Sequence, residues 1–266
     1  MKSLSRHVAM ACVFLACAVS FAEQPVLRVL TYNIHHGRGA DGRIDLPRIA
    51  AVIRKLETDL VALQEVDRLT KRCGQVDQAA ELGRLTGMHH AFGKAMDFDG
   101  GQYGEAVLSR FEFIEVKTYA LSASAGHEPR AALAVTVHPS NFPVLTFVGT
   151  HLDHTRDPKD RVSQARAIDK LFADRQNTSV VLAGDLNARP ATDPMRVFDD
   201  HWSSAATFVG KEPAPTFPSK NPRTKIDYVL LRKADRWRAK RVQVVDEPVA
   251  SDHAPLLAEL QYVEVQ

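Results

Sequence analysis

Through most of its length this chain alternates short β-prone runs, each ending at a carboxylate, amide or imidazole, with stretches of helical period. That rhythm narrows the available folds more than any other feature. Val26 to Tyr32 is β-rich and ends at Asn33. Asp45 supplies an N-cap and Pro47 a first-turn proline for a helix in which Ile49, Val52, Ile53 and Leu56 recur at helical spacing. Asp59 to Leu63 predicts a strand that stops at Gln64-Glu65, and a second helix is expected from about Val76 to Thr86, closed by Gly87. From His89 to His138 the pattern is a series of antiparallel strands, with a turn at Asp99-Gly100-Gly101 and a strand at Ala106 to Ser109. Val144 to Thr150 leads to His151, a helix is expected from Lys159 to Ala173, and a buried strand from Ser179 to Ala183 ends at Gly184-Asp185. Loops around Pro213, Pro215, Pro218 and Pro222 precede strands near Ile226 to Leu231, Arg238 to Val245 and Leu256 to Leu260. Strands and helices alternate in both halves with hairpins between, which predicts an α/β protein of two sheets packed face to face with helices outside.

No linker or internal repeat interrupts this order, and 266 residues suffice for one sizeable core. Lys2 and Arg6, the apolar run Val8 to Val19 and the ending Ser20-Phe21-Ala22 form the pattern of a secretory signal peptide. The expectation is cleavage after Ala22, a catalytic domain at 23–266, and export to a periplasmic or secreted location with no membrane span in the mature protein. A membrane anchor is the alternative, but the run falls short of the roughly 20 residues that cross a bilayer. Lipidation of Cys17 is another, which Phe14 fits poorly. Loss of Cys12 and Cys17 leaves Cys73 without an internal partner, so it is read as a loop or packing residue. Loss of two basic residues from 34 equalises them with the 32 acidic ones. A basic excess is the usual mark of a nucleic-acid grip, so nucleic acid is not the favoured partner. The cluster Arg232, Lys233, Arg236, Arg238, Lys240 and Arg241 is read as a solvated face.

Asn33, Glu65, His151, Asp185 with Asn187, Asp227, and Asp252 with His253 all fall at the ends of expected strands, where a rigid scaffold presents reactive groups. Each alone has an ordinary role as a turn former or cap; together they suggest a site. The blocks Thr31-Tyr32-Asn33, Leu63-Gln64-Glu65-Val66, Leu108-Ser109-Arg110, Thr150-His151-Leu152, Gly184-Asp185-Leu186-Asn187, Lys225-Ile226-Asp227-Tyr228-Val229 and Ser251-Asp252-His253-Ala254-Pro255 resemble the endonuclease/exonuclease/phosphatase superfamily, in that family's order, over about residues 26 to 261. The resemblance implies a DNase I-like, four-layer α/β sandwich of two mixed β-sheets with outer helices.

Phosphate ester hydrolysis needs neutralised phosphoryl oxygens, an activated water and a stabilised leaving oxygen. The resemblance implies Mg²⁺ or Mn²⁺ held chiefly by Glu65, with Asn33 beside it. It implies that Asp185 positions or deprotonates the attacking water, Asn187 donates to the scissile phosphate and His151 contacts a phosphoryl oxygen. Asp227 would orient a neighbouring histidine or assist the leaving group, and Asp252 would orient His253. Arg130 offers a guanidinium to phosphate, a surface ion pair being the alternative. His36 would line the pocket; successive strand residues face opposite ways, so only one of His35 and His36 would reach it if the strand continued. Zinc is disfavoured by the single remaining cysteine and the absence of helically spaced histidines. Glu105 stands where many relatives carry Asn and is left outside the catalytic set. The start Tyr-Asn-Ile-His-His-Gly and the block Thr-His-Leu-Asp-His look most like small bacterial members and the hydrolase-like domain of glycosylphosphatidylinositol lipid-remodelling proteins. The expected function is an exported phosphodiesterase or phosphatase acting on a lipid head group or other small phosphate ester, with no protein partner. A secreted nuclease is one alternative. An inactive binding module is another, against which the joint presence of Glu65, Asp185, Asn187, Asp252 and His253 speaks.

Overall fold

The computed structural model describes residues 25–173, 178–210 and 214–263, so the expected signal peptide lies outside the described residues. Twelve strands form among them: β1 Leu27–Asn33, β2 Leu60–Arg68, β3 His89–Phe98, β4 Gly101–Ser109, β5 Phe113–Leu121, β6 Arg130–Val137, β7 Leu145–His151, β8 Ser179–Asp185, β9 Trp202–Ser204, β10 Asp227–Arg232, β11 Trp237–Val244 and β12 Leu256–Tyr262. Five helices accompany them: α1 Leu46–Lys55, α2 Gln78–Thr86, α3 Lys159–Phe172, α4 Asp193–Arg196 and α5 Ala205–Phe208. The strands make two six-stranded sheets, ordered β11-β12-β1-β2-β4-β3 and β5-β6-β7-β8-β10-β9. Each sheet contains one parallel pair, β1 with β2 and β7 with β8, joined through α1 and α3; every other pairing is antiparallel.

Period-two burial on the strands splits the core into layers. Val29, Leu60, Ala62, Val107, Leu133, Phe147, Val181, Val229 and Ala258 pack between the sheets. Leu30, Tyr32, Val61 and Leu63 face α1 and α2 with Ile49, Ile53 and Leu82, while Val148, Val180 and Leu182 cover α3 with Ile168 and Phe172. The four-layer sandwich expected from the sequence is therefore formed. Asp45 caps α1 by accepting from Arg48 N at 2.9 Å, and Gly87 ends α2 in the left-handed conformation.

Four features differ from the sequence reading. β2 does not stop at Gln64-Glu65 but runs to Arg68, with an irregularity between Leu63 and Val66 that leaves Glu65 at φ +58°. The chain after Asn33 turns at once into a 3₁₀ turn, His35–Gly37, so strand alternation does not separate the two histidines. Arg232 is not part of a solvated face: it is 4% exposed, donates to Asp235 Oδ1 at 2.7 Å and caps the end of α3 through Phe172 O at 3.0 Å. The short β9, α4 and α5 were too brief to leave a periodic signal. No helix of the described residues is long and apolar enough to cross a membrane.

Candidate active site

Topology brings the polar strand ends together. Asn33, His151 and Asp185 are the last residues of β1, β7 and β8; Asp227 and Arg130 are the first of the antiparallel β10 and β6; His253 lies three residues before the start of β12. Two central strands from different sheets, β1 and β8, meet at this edge, where Asn33 Nδ2 donates to Asp185 Oδ2 at 3.2 Å and to Glu65 Oε1 at 3.0 Å. Thr150 and Asp185 flank Gly184, and a Cβ there would sit 2.1 Å from Thr150 O, so only glycine lets β7 and β8 converge this closely. The edge opens into a cavity of about 340 Å³ lined by His35, His36, Glu65, Arg130, His151, Asp185, Asn187, Asp252 and His253, with Met96, Phe98, Phe217 and Ile226 on its walls.

Asp185 is the hub. Its Oδ1 accepts from Asn187 N at 2.9 Å, and its Oδ2 lies 3.5 Å from His151 Nε2 and 3.6 Å from His253 Nε2. His253 Nδ1 faces Asp227 Oδ2 at 3.0 Å, and Thr216 Oγ1 donates to the same carboxylate. Arg130 is 1% exposed and reaches His151 Nδ1 at 3.1 Å, His154 Nδ1 at 3.0 Å and Glu128 Oε2 at 2.9 Å. Asn187 Nδ2 donates to Leu152 O at 3.1 Å and stands 2.9 Å from His151 Nε2. His35, His36, Glu65 and Asn187 all hold positive φ, between 46° and 58°, a conformation that costs non-glycine residues of order 1–3 kcal/mol each and clusters where function over-determines the backbone.

These groups perturb one another. Burial raises the Asp185 carboxyl to about 7, and the neighbouring Asp227 charge adds to the rise. Burial alone would lower His253, but Asp227 and then Asp185 outweigh it and hold the imidazolium up to about 10. Burial and the Arg130 charge push His151 well below its ordinary value, and burial with Arg72 lowers His36 to about 4, so both rings are neutral near pH 7. The site therefore holds one imidazolium and one neutral imidazole on either side of a shared carboxylate, an arrangement that can donate a proton from one side and accept from the other.

The sequence profile of the Endonuclease/Exonuclease/phosphatase family matches residues 30–253. The chain belongs to that family. Its members hydrolyse phosphate esters, generally with a divalent cation. The Escherichia coli (strain K12) protein YbhP is 25% identical over 248 residues, which span 90% of this chain and 97% of YbhP. An endonuclease/exonuclease/phosphatase structure from Beutenbergia cavernae DSM 12333 superposes with a TM-score of 0.74 at 26% identity, covering 89% of this chain and 72% of the other. The Bacteroides thetaiotaomicron VPI-5482 mannosyl-6-phosphatase Bt3783 superposes with a TM-score of 0.72 at 19% identity, covering 89% of this chain and all of its own, a likeness of fold.

Within this endonuclease/exonuclease/phosphatase fold, the residues picked out by sequence share one cavity or its floor, but three of their expected relations change. Asp252 does not orient His253: its half-exposed carboxylate points to His35 Nδ1 at 3.8 Å, and the imidazole turns to Asp227, across the loop, because that carboxylate is buried at the first position of β10. Asn33 does not present an oxygen beside Glu65: its Oδ1 accepts from His35 N at 3.0 Å and its Nδ2 bridges Glu65 and Asp185. Arg130 is buried in the site, and the ion pair it forms, with Glu128 Oε2, lies at the cavity wall rather than on an outer face. The sequence reading missed His154 and Glu128, whose loops carry no periodicity, and Tyr103 on β4; it named His36 rather than His35 for the pocket, and it set aside Glu105. That residue is wholly buried on β4, both its oxygens lack a hydrogen-bond donor, and burial lifts its carboxyl well above the usual range, against the opposing Arg130 charge. As to a cation, two carboxylates share a single amide nitrogen at 3.0 and 3.2 Å, and His35, His36 and Glu65 offer donor atoms within 4.8 Å of one another. The Glu65 and Asp185 carboxylates, brought together at that amide, are the hard oxygen donors that a divalent ion of the Mg²⁺ class takes.

Proposed function

We propose that this protein is an exported, divalent-cation-dependent phosphoric ester hydrolase that acts as a phosphodiesterase or phosphatase on a small phosphate ester, such as a lipid head group. The observation that carries the reading is Asp185 Oδ2, set 3.5 and 3.6 Å from the Nε2 atoms of His151 and His253. Glu65, with Asp185 beside it, would hold Mg²⁺ or Mn²⁺, which when bound would neutralise phosphoryl charge. Asp185 accepts the proton of the incoming water. The His253 imidazolium, held by Asp227, offers hydrogen bonds to phosphoryl oxygen, and the neutral His151, held by Arg130, contacts a phosphoryl oxygen. Asn187 and Arg130 bind the anionic oxygens. The cavity of about 340 Å³, with Met96, Phe98, Phe217 and Ile226 on its walls, favours a compact ester with an apolar part over a duplex. The equal count of acidic and basic residues after Ala22 and the name of the Bacteroides mannosyl-6-phosphatase point the same way. Residues 1–22 would direct export, and the mass of the protein recovered from the periplasm or medium would begin at Glu23.

The test is turnover of bis-nitrophenyl and mono-nitrophenyl phosphate by protein stripped with chelator and resupplied with Mg²⁺ or Mn²⁺. His253→Ala is expected to lose about 10²–10⁴ in kcat; equal turnover by the variant defeats the assignment. A parallel panel of plasmid DNA, RNA, sphingomyelin and phosphatidylinositol ranks substrates, and digestion of DNA alone would replace this reading with a nuclease.

A further inference from the structure

Beside the active site lies a second cluster of donors, carried by three separate elements. His127 belongs to the loop between β5 and β6, Asp153 follows β7, and Asp160 sits in the first turn of α3. Their donor atoms all fall within 4.8 Å of one another. His127 Nδ1 is 2.7 Å from Asp160 Oδ2 and 3.7 Å from Asp153 Oδ2. Asp160 is further fixed by Ser124, which donates to Oδ2 through its backbone N at 2.8 Å and to Oδ1 through its hydroxyl at 2.7 Å.

Asp153 is the anomaly. It is wholly buried, and its Oδ1 accepts from Thr155 N at 2.9 Å and from the Thr155 hydroxyl. Its Oδ2 has no donor at all. Arg161, the nearest cation, is turned away: its Nη1 donates to Asp153 O at 2.9 Å and to Thr155 O, and stays 3.9 Å from Oδ1. A buried carboxylate oxygen without a partner loses its hydration with nothing in return. The imidazole nitrogen that faces the cluster pairs with Asp160 Oδ2, and among the described residues Asp153 Oδ2 has no hydrogen-bond partner.

We propose that His127, Asp153 and Asp160 form a structural site for a borderline divalent cation of the Zn²⁺ type, distinct from the Glu65 site. An imidazole nitrogen with two carboxylate oxygens is a Zn²⁺-type donor set, whereas Mg²⁺ and Ca²⁺ prefer oxygen alone. A tetrahedral ion about 2.0–2.1 Å from each donor separates its donors by roughly 3.4 Å, and the observed 2.7 and 3.7 Å straddle that value. His127 Nδ1 releases its proton to solvent as the ion enters, and a water takes the fourth position on the side where His127 is 31% exposed. The ion would pin the β5–β6 loop to α3 and to the end of β7. Glu128, Arg130 and His154, which line the catalytic cavity, are next to its ligands in sequence, so the clasp holds one wall of that cavity in place.

The experiment uses the chain from Glu23, stripped with chelator and titrated with Zn²⁺ by calorimetry in millimolar Mg²⁺, which competes at the Glu65 site. Wild type and Glu65→Ala are expected to bind one equivalent tightly, and His127→Ala to bind at least about tenfold more weakly, as loss of one of three protein ligands requires. Co²⁺ gives an independent signal: a tetrahedral visible spectrum in wild type and Glu65→Ala that is lost in His127→Ala. His127→Gln, which keeps volume and polarity, serves if the alanine variant misfolds by circular dichroism. Unchanged Zn²⁺ affinity and Co²⁺ spectrum in the His127 variants, or loss of both in Glu65→Ala alone, would overturn the proposal without touching the assignment of the catalytic site.

Discussion

Replacing Asp227 by Asn probes the buried charges directly, because the outcome must change with pH. At pH 5 Asp185 is protonated, with its carboxyl raised to about 7, and Asp227 is the carboxylate paired with the His253 imidazolium, at 3.0 Å. Removing that anion strands a buried cation, a loss of about 3–5 kcal/mol. At pH 8 Asp185 is ionised and lies 3.6 Å from His253, so it takes over the pairing. The variant is then also relieved of repulsion between Asp185 and Asp227, whose donor oxygens are no more than 4.8 Å apart. Two like charges at that separation repel by about 3.5 kcal/mol at an effective dielectric of 20. The direction follows from linkage: a carboxyl raised in the folded state binds more protons there than in the unfolded chain, so wild type loses stability as pH climbs from about 4 to about 7. His253 adds a loss that begins above its ordinary 6.5 and is complete only beyond about 10. Asp227→Asn lowers both carboxyl and imidazolium values and flattens this decline. Urea unfolding in the presence of chelator, at pH 5 and pH 8, should show the destabilisation shrinking by about 2–3 kcal/mol. A penalty that is the same at both pH values would refute the coupled triad.

Other substitutions test the frame around it. Glu105→Gln keeps the shape of a buried carboxyl but cannot ionise, so its urea midpoint should exceed that of wild type at pH 8 and the gap should close towards pH 4, at up to about 1.4 kcal/mol per pH unit; a gap independent of pH would mean Glu105 is not held protonated. Gly184→Ala drives a Cβ to 2.1 Å from Thr150 O and should cost about 3 kcal/mol or more in thermal or urea melts, whereas Gly149→Ala, whose nearest neighbour would be 3.3 Å away, should cost less. Cys73 is buried, donates to Asp67 Oδ2 at 3.0 Å and is pushed up to about 12, so the folded chain from Glu23 should resist thiol reagents at pH 8 and react only after denaturation.

Much of the fold was legible because its long elements carry strong periodicity. The Asp45 cap, the Gly87 stop, the long strands and the two face-to-face sheets with outer helices all formed as read. Elements of three or four residues, β9, α4 and α5, were not legible, since they hold less than one full repeat of any pattern. The sequence also misjudged Arg232, because a basic cluster looks the same whether its members face water or the end of a helix.

For the site, the sequence alone determined which side chains stand at or near strand ends, apart from Glu65 inside β2, since side-chain chemistry and most strand termini are local properties. It could not determine their partners. Asp252 is covalently next to His253, yet Asp227, 26 residues away, takes the imidazole; Glu65 and Asp185, on different sheets, share one Asn33 amide. Those choices follow from the register of β10 against β8, which sets Asp227 opposite Asp185, and from the packing of the two sheets. The charge states follow as well, because burial and the separation between charges fix a proton's affinity, and both are set only when the chain closes on itself.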